Sequence, residues 1–170
     1  MCHRKKRDLC AQLKLYRTMK SIINDEALIK KGFLISTDKN LLDFNAIFKY
    51  LNEESYWAKG ITPERLKRAI DNSICFGIYQ HQQQAGFARV ITDKATFAYI
   101  CDVFVLPEFR KHGLSKWLIQ TIIEDPEFSG LRRWSLATLD AHGLYSQFGF
   151  AEISNPSRWM EIFTPYLKEN

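Results

Sequence analysis

A chain of 170 residues, 46% of them apolar, has the size of one domain with a full core, and no stretch approaches the roughly 18 consecutive apolar residues that a membrane-spanning helix needs. The net charge of +5 is unevenly spread: residues 1–31 hold nine Lys/Arg against three Asp/Glu, +6, and residues 32–170 come to −1. The basic character therefore belongs to an N-terminal extension, residues 1–31, and not to the body, residues 32–170.

Within the extension, Leu9, Leu13, Tyr16 and Ile23 recur at near-helical spacing, which predicts a helical arm, solvated or docked on the body or on a second subunit of a homodimer. It carries no DNA-reading motif, so nucleic acid is not an expected partner. Met19 offers an alternative start. No apolar signal region follows the basic start, and the four cysteines Cys2, Cys10, Cys75 and Cys101 show no CxxC pairing. Cys75 and Cys101 read as buried reduced thiols, and the cytoplasm is the expected compartment. Cys2, His3 and Cys10 lack a fourth ligand and zinc spacing, so no metal is expected.

The body opens with a short strand over 32–37, and Asp38 or Asn40 is placed to cap a helix carrying Leu42, Ala46, Ile47, Tyr50 and Leu51 on one face. Thr62-Pro63-Glu64 starts a second helix, with a capping hydroxyl and proline at the first helical position. Strands are expected over 74–79, 85–92 and 96–105, then a helix over 113–124 stopped by Asp125-Pro126. A strand over 131–138, a helix over 141–148 and strands over 150–153 and 159–163 complete the order. This predicts an α/β (α+β) domain with a mixed, mostly antiparallel central sheet of about seven strands flanked by helices. The segment 96–138 is a candidate for a right-handed βαβ crossover.

Residues 103–115 are the most informative stretch. The apolar run ending at Val105 stops at Pro107, and a basic glycine-containing turn, Arg110-Lys111-His112-Gly113, leads into Leu114-Ser115 and the apolar positions Trp117, Leu118 and Ile122. A strand ending in a helix whose first turn offers free N–H groups beside positive side chains suits a phosphate anion. The GxxxxGK[ST] and GxGxxG spacings are both absent, so another diphosphate ligand is called for.

Two motifs in the right order make the chain resemble the GNAT N-acetyltransferase superfamily. One is V-x-P-x-x-R-x-x-G-x-[GA], here Val105, Pro107, Arg110, Gly113 and Ser115; the other is A-x-x-LY-x-x-x-GF, here Ala141, Leu144, Tyr145, Gly149 and Phe150. The resemblance spans roughly residues 32–163 and implies acetyl-CoA as co-substrate. It implies that the N–H groups of Arg110, Lys111, His112, Gly113, Leu114 and Ser115 wrap the pyrophosphate. It implies too that the pantetheine arm runs along the backbone of Val103, Phe104 and Val105, where a β-bulge splays this strand from the next into a V-shaped cleft. Two positions depart from the pattern: Ser115 replaces the usual Gly or Ala, and Thr138, a further candidate cofactor contact, stands where many members carry Asn.

The resemblance also implies that Tyr145 is the general acid that protonates the departing thiolate. Asp102, the one charge in its apolar run, is the candidate base or amine holder, with an outward-facing carboxylate or a partner for Arg89 as alternatives. Tyr99, Asp140 and His142 are further candidates for the base. Tyr56 and Trp57 are the candidate acceptor-binding residues, with Tyr99, and Arg158 and Trp159 lie toward the other side. The leading expectation is acetyl transfer to a primary amine of a small acceptor, with no membrane involved. The alternatives are a non-catalytic CoA-binding module and a protein or peptide acetyltransferase whose basic arm contacts a partner.

Overall fold

The computed structural model describes residues 25–166; the helical arm, Met19 and the Cys2/His3/Cys10 group lie outside the described residues. Helix α1 (Asp25–Lys30) leads into β1 (Phe33–Ser36), and its Leu28 is buried in the core. Next come α2 (Phe44–Lys49), continued by a wider turn over Tyr50–Glu54, and α3 (Pro63–Asp71). Strands β2 (Ile74–Gln80), β3 (Gln83–Thr92) and β4 (Phe97–Val105) follow, then α4 (Leu114–Ile123), β5 (Arg133–Ser135) and the single turn α5 (His142–Tyr145).

Local chemistry accounts for most boundaries. Thr62 caps α3 by accepting from the Arg65 N–H, with Pro63 in the first turn, as expected. The cap of α2 differs: its side chain is Asp43, which accepts from Ala46 N–H at 3.0 Å, whereas Asp38 closes only a short 3-10 turn over Lys39–Leu41. Both are Asp residues ahead of an apolar run, and the apolar spacing alone does not choose between them.

The strands lie in the order β1-β2-β3-β4-β5. Neighbours are antiparallel except β4 and β5, which run parallel and are joined through α4. Alternation along β2 and β3 feeds two cores. Phe76, Ile78, Ala88 and Val90 pack with Leu118, Ile119 and Ile122 of α4. Cys75 and Phe87 pack with Ile47, Leu51, Leu66 and Ile70 of α2 and α3, joined by Phe104 of β4.

The described residues form five strands, not the expected seven. β5 is cut to Arg133–Ser135, and 150–153 and 159–163 join no ladder. Strand composition supplies β-propensity but no partner. The late segment instead lies outside the sheet, with Met160 and Ile162 almost fully exposed at 97% and 100% and Trp159 under the Arg133 guanidinium, 4.9 Å from its ring centre. The expected helix over 141–148 shortens to α5 followed by a tighter turn over Ser146–Phe148 that ends at Gly149, φ 85°.

Candidate functional site

The site is built where β4 leaves β5. Their pairing runs only over Phe97, Ala98 and Tyr99 against Arg133, Trp134 and Ser135. Beyond Tyr99 the register of β4 against β3 slips: Arg89 faces Cys101, yet Phe87 faces Phe104. Asp102 and Val103 thus share the span of Ala88, a bulge with Asp102 in the left-handed region at φ 54°. The last residues of β4, Val103 at the end of this bulge and Phe104 and Val105 after it, lie beyond the part of the strand paired to β5. Phe104 is buried and stacked on Tyr50 at 4.0 Å, while Val103 and Val105 are half-buried against the α4-side core.

β3 supports this stretch at close range. A Cβ on Gly86 would sit 2.7 Å from the Phe104 carbonyl oxygen, so only glycine admits the β4 backbone there. Gly86→Ala should displace that backbone and cost about 2 kcal/mol by overpacking, seen as a fall of roughly 4–8 °C in melting temperature. A wild-type melt would show that the strand has room to yield.

The junction between β4 and α4 is a sequence of tight turns. Pro107–Phe109 form a single 3-10 turn, Lys111 takes φ 67°, and Gly113 takes φ 79° as the residue ahead of α4. No side chain caps the first turn of α4, so its N–H groups at the positive end of the helix have no side-chain partner from a cap. Gly113 takes this left-handed conformation without the steric cost of a Cβ. Lys111 and His112 are exposed, and Ser115 is half-buried in the first turn. Arg110 folds back over the strand end: its Nε donates to the Val105 carbonyl at 3.0 Å and its Nη2 to the Tyr50 hydroxyl at 3.2 Å.

Tyr145, the last residue of α5, is 8% exposed and meets Phe150 edge-on at 5.9 Å. Burial, then the nearby Tyr56 and Asp140, push its pKa up to about 12, and Cys101 and Tyr99 also lie within electrostatic reach. The structure thus gathers Tyr56, Tyr99 and Tyr145 around the parted strands. Tyr56 spans the two walls by accepting from the Leu139 N–H at 2.8 Å, and its ring meets Trp57 edge-on at 4.9 Å. Both aromatic rings remain substantially exposed. The Thr138 hydroxyl accepts from Ala141 N–H at 3.0 Å, holding the entry to α5.

Asp102 has a partner. Its Oδ2 accepts from Arg89 Nε at 2.7 Å, and the two side chains are 9% and 14% exposed, which is the Arg89 alternative raised for it above. Burial raises the Cys75 and Cys101 thiols to about 11 and about 12, so both stay protonated at neutral pH. Among the described residues no group of three or more His, Cys, Asp or Glu could hold a metal ion, and no helix is long and apolar enough to cross a membrane. Two contributors escaped the sequence. Tyr50 reads there only as one apolar position on a helix face, and Ser73, which accepts from Arg89 Nη1 at 2.9 Å, carries no local signal.

Comparison with known proteins bears on this arrangement. Residues 44–150 match the sequence profile of the acetyltransferase (GNAT) family. A Gibberella zeae protein provisionally named as an acetyltransferase is 32% identical over 149 residues, covering 76% of this chain and 84% of its own. An otherwise uncharacterized N-acetyltransferase of Gracilaria tenuistipitata var. liui is 31% identical over 93 residues, about half of each chain. A crystal structure from Xanthomonas campestris pv. campestris, provisionally described as a GNAT-family acetyltransferase, superposes with a TM-score of 0.77 at 49% identity. That match covers 79% of this chain and 95% of the other.

Proposed function

Because the chain belongs to the acetyltransferase (GNAT) family and is an N-acetyltransferase, we propose that it moves an acetyl group from acetyl-CoA to a primary amine of a small acceptor, with Tyr145 as general acid. One observation carries the reading: the uncapped first turn of α4, entered through left-handed Lys111 and Gly113, continues directly from the strand that parts from β5. An anion held at that turn leaves an extended arm free to follow β4 into the cleft. Arg110 and Lys111 add positive charge, and the Val103–Val105 backbone takes the pantetheine as strand-like company.

The chemistry follows from the groups gathered there. A backbone N–H near Val105 polarises the thioester carbonyl. The neutral amine attacks the carbonyl carbon, the C–S bond breaks, and the sulfur takes the Tyr145 phenolic proton. A pKa near 12 keeps Tyr145 a phenol throughout the neutral range. Its phenolate is then a strong base, and it recovers a proton shed, through water, by a nitrogen that becomes more acidic as it turns into an amide. Tyr56, Trp57 and Tyr99 line the acceptor side. Asp140 is exposed nearby, and an acidic, aromatic surround favours a cationic amine.

Free-thiol release from acetyl-CoA, followed across amine, polyamine, amino-acid and peptide acceptors, tests the reading. Release with a small amine is the expected result. Release only with peptides moves the function to protein acetylation. Tight acetyl-CoA binding with no release for any acceptor moves it to a CoA-binding module.

A further inference from the structure

We propose that Arg89, Asp102 and Ser73 form a positioning brace that sets the bulge of β4 and so aligns the Val103–Val105 backbone for acetyl-CoA; the proposal rests on the acetyl-CoA reading above. Asp102 sits at φ 54° inside a strand, a left-handed conformation that Asp visits more readily than most residues but that still carries strain, so it persists where neighbouring contacts hold it. The enforcement is visible. Arg89 Nε donates to Asp102 Oδ2 at 2.7 Å, Arg89 Nη1 donates to Ser73 Oγ at 2.9 Å, and Ser73 Oγ donates to the Ala69 carbonyl at 2.6 Å. A continuous chain of polar contacts thus runs from the last turn of α3, through β3, to the bulge.

Its location gives it a task. The bulge begins three residues after Tyr99, the last β4 residue paired to β5, and ends at Val103, the first residue of the proposed pantetheine track. Both charges are largely withdrawn from water, so removing either strands the other. Arg89 cannot serve as a base at any working pH. A defect in acetyl-CoA binding shared by Arg89 and Asp102 variants, with the acidic limb of the pH profile unmoved, is therefore a positioning defect, whereas loss of that limb confined to Asp102 is a proton-transfer defect. This makes Asp102 a residue acting through the strand it holds, with Oδ2 committed to Arg89.

The test uses the full chain, with calorimetric titration of acetyl-CoA and steady-state kinetics across pH. Asp102→Asn keeps a residue that tolerates the left-handed backbone and removes only the charge. Asp102→Asn and Arg89→Gln should each weaken acetyl-CoA binding and lower kcat about tenfold. The double variant should be little worse than either single one. The acceptor KM and the acidic limb of the pH profile should not move. Loss of that limb in Asp102→Asn beside a silent Arg89→Gln would make Asp102 the base and overturn the brace, as would wild-type acetyl-CoA affinity in both variants. If Arg89→Gln does not fold, Ser73→Ala keeps both charges and should show the same pattern at about threefold, with wild-type behaviour overturning the proposal. A wild-type chain that binds no acetyl-CoA has a separate signature and removes the cofactor reading together with the brace.

Discussion

Tyr145→Phe should lower kcat by about 10²-fold or more, the range general acids contribute, while acetyl-CoA affinity stays within about twofold of wild type. The substitution deletes one oxygen and keeps the ring against Phe150, so folding should be preserved and a melting curve should superpose on that of wild type. The pH profile adds a second signature. The phenol is the acid form, and its pKa is raised from 10.0 to about 12 by burial first, so Tyr145 loses its proton only as pH climbs toward 12. Turnover should therefore show no alkaline limb through pH 10 from this group, and the acidic limb, set by deprotonation of the acceptor amine, should survive in the variant. The same shift makes the fold less stable as pH rises from about 10 to about 12, because the unfolded chain ionises first. Unchanged turnover in Tyr145→Phe would remove the assignment.

Phe104→Ala should cost about 3–5 kcal/mol, the range for truncating a buried phenylalanine, and lower the melting temperature by roughly 10–15 °C. Phe104 is 4% exposed, stacks on Tyr50 at 4.0 Å and touches Phe87, so its loss opens a hole in the core beneath α2 and α3. Against a total stability of about 5–15 kcal/mol for a domain of this kind, that is a large share. Phe104→Leu, which keeps most of the volume, should cost under about 1.5 kcal/mol and retain acetyl-CoA binding, because the contact proposed for this residue is through its backbone and not its ring. Equal loss of binding and of stability in the leucine variant would show the side chain to be part of the site. Chemical denaturation with a binding titration on the same samples separates the two outcomes.

Legibility followed the range of the interaction. The cap at Thr62, the break at Pro126 and the glycine-containing turn ahead of α4 are decided within a few residues, and all three stand where composition placed them. The strands over 74–105 were readable because alternation and apolar content repeat along each of them. The two late strands were not, because a strand exists only when another edge offers hydrogen bonds, and residues 150–163 find none in the described chain. The truncation of β5 has the same root: beyond Tyr99 β4 no longer pairs with it, so residues 136–138 join no ladder. The helix cap moved from Asp38 or Asn40 to Asp43 for a smaller reason, since all three lie ahead of the same apolar face.

By itself the sequence determined the two motifs on which the family resemblance rests. The basic turn from Arg110 to Gly113 and the block around Tyr145 are contiguous motifs whose chemistry depends on local backbone and residue type. Only the tertiary structure decided which partner Asp102 meets, because that partner, Arg89, lies thirteen residues earlier and is held in turn by Ser73 at the end of another helix. A charge in an apolar run announces that some partner is needed. Which partner it finds, a substrate amine or a guanidinium across the sheet, is settled by strand register, and register is a property of the folded sheet.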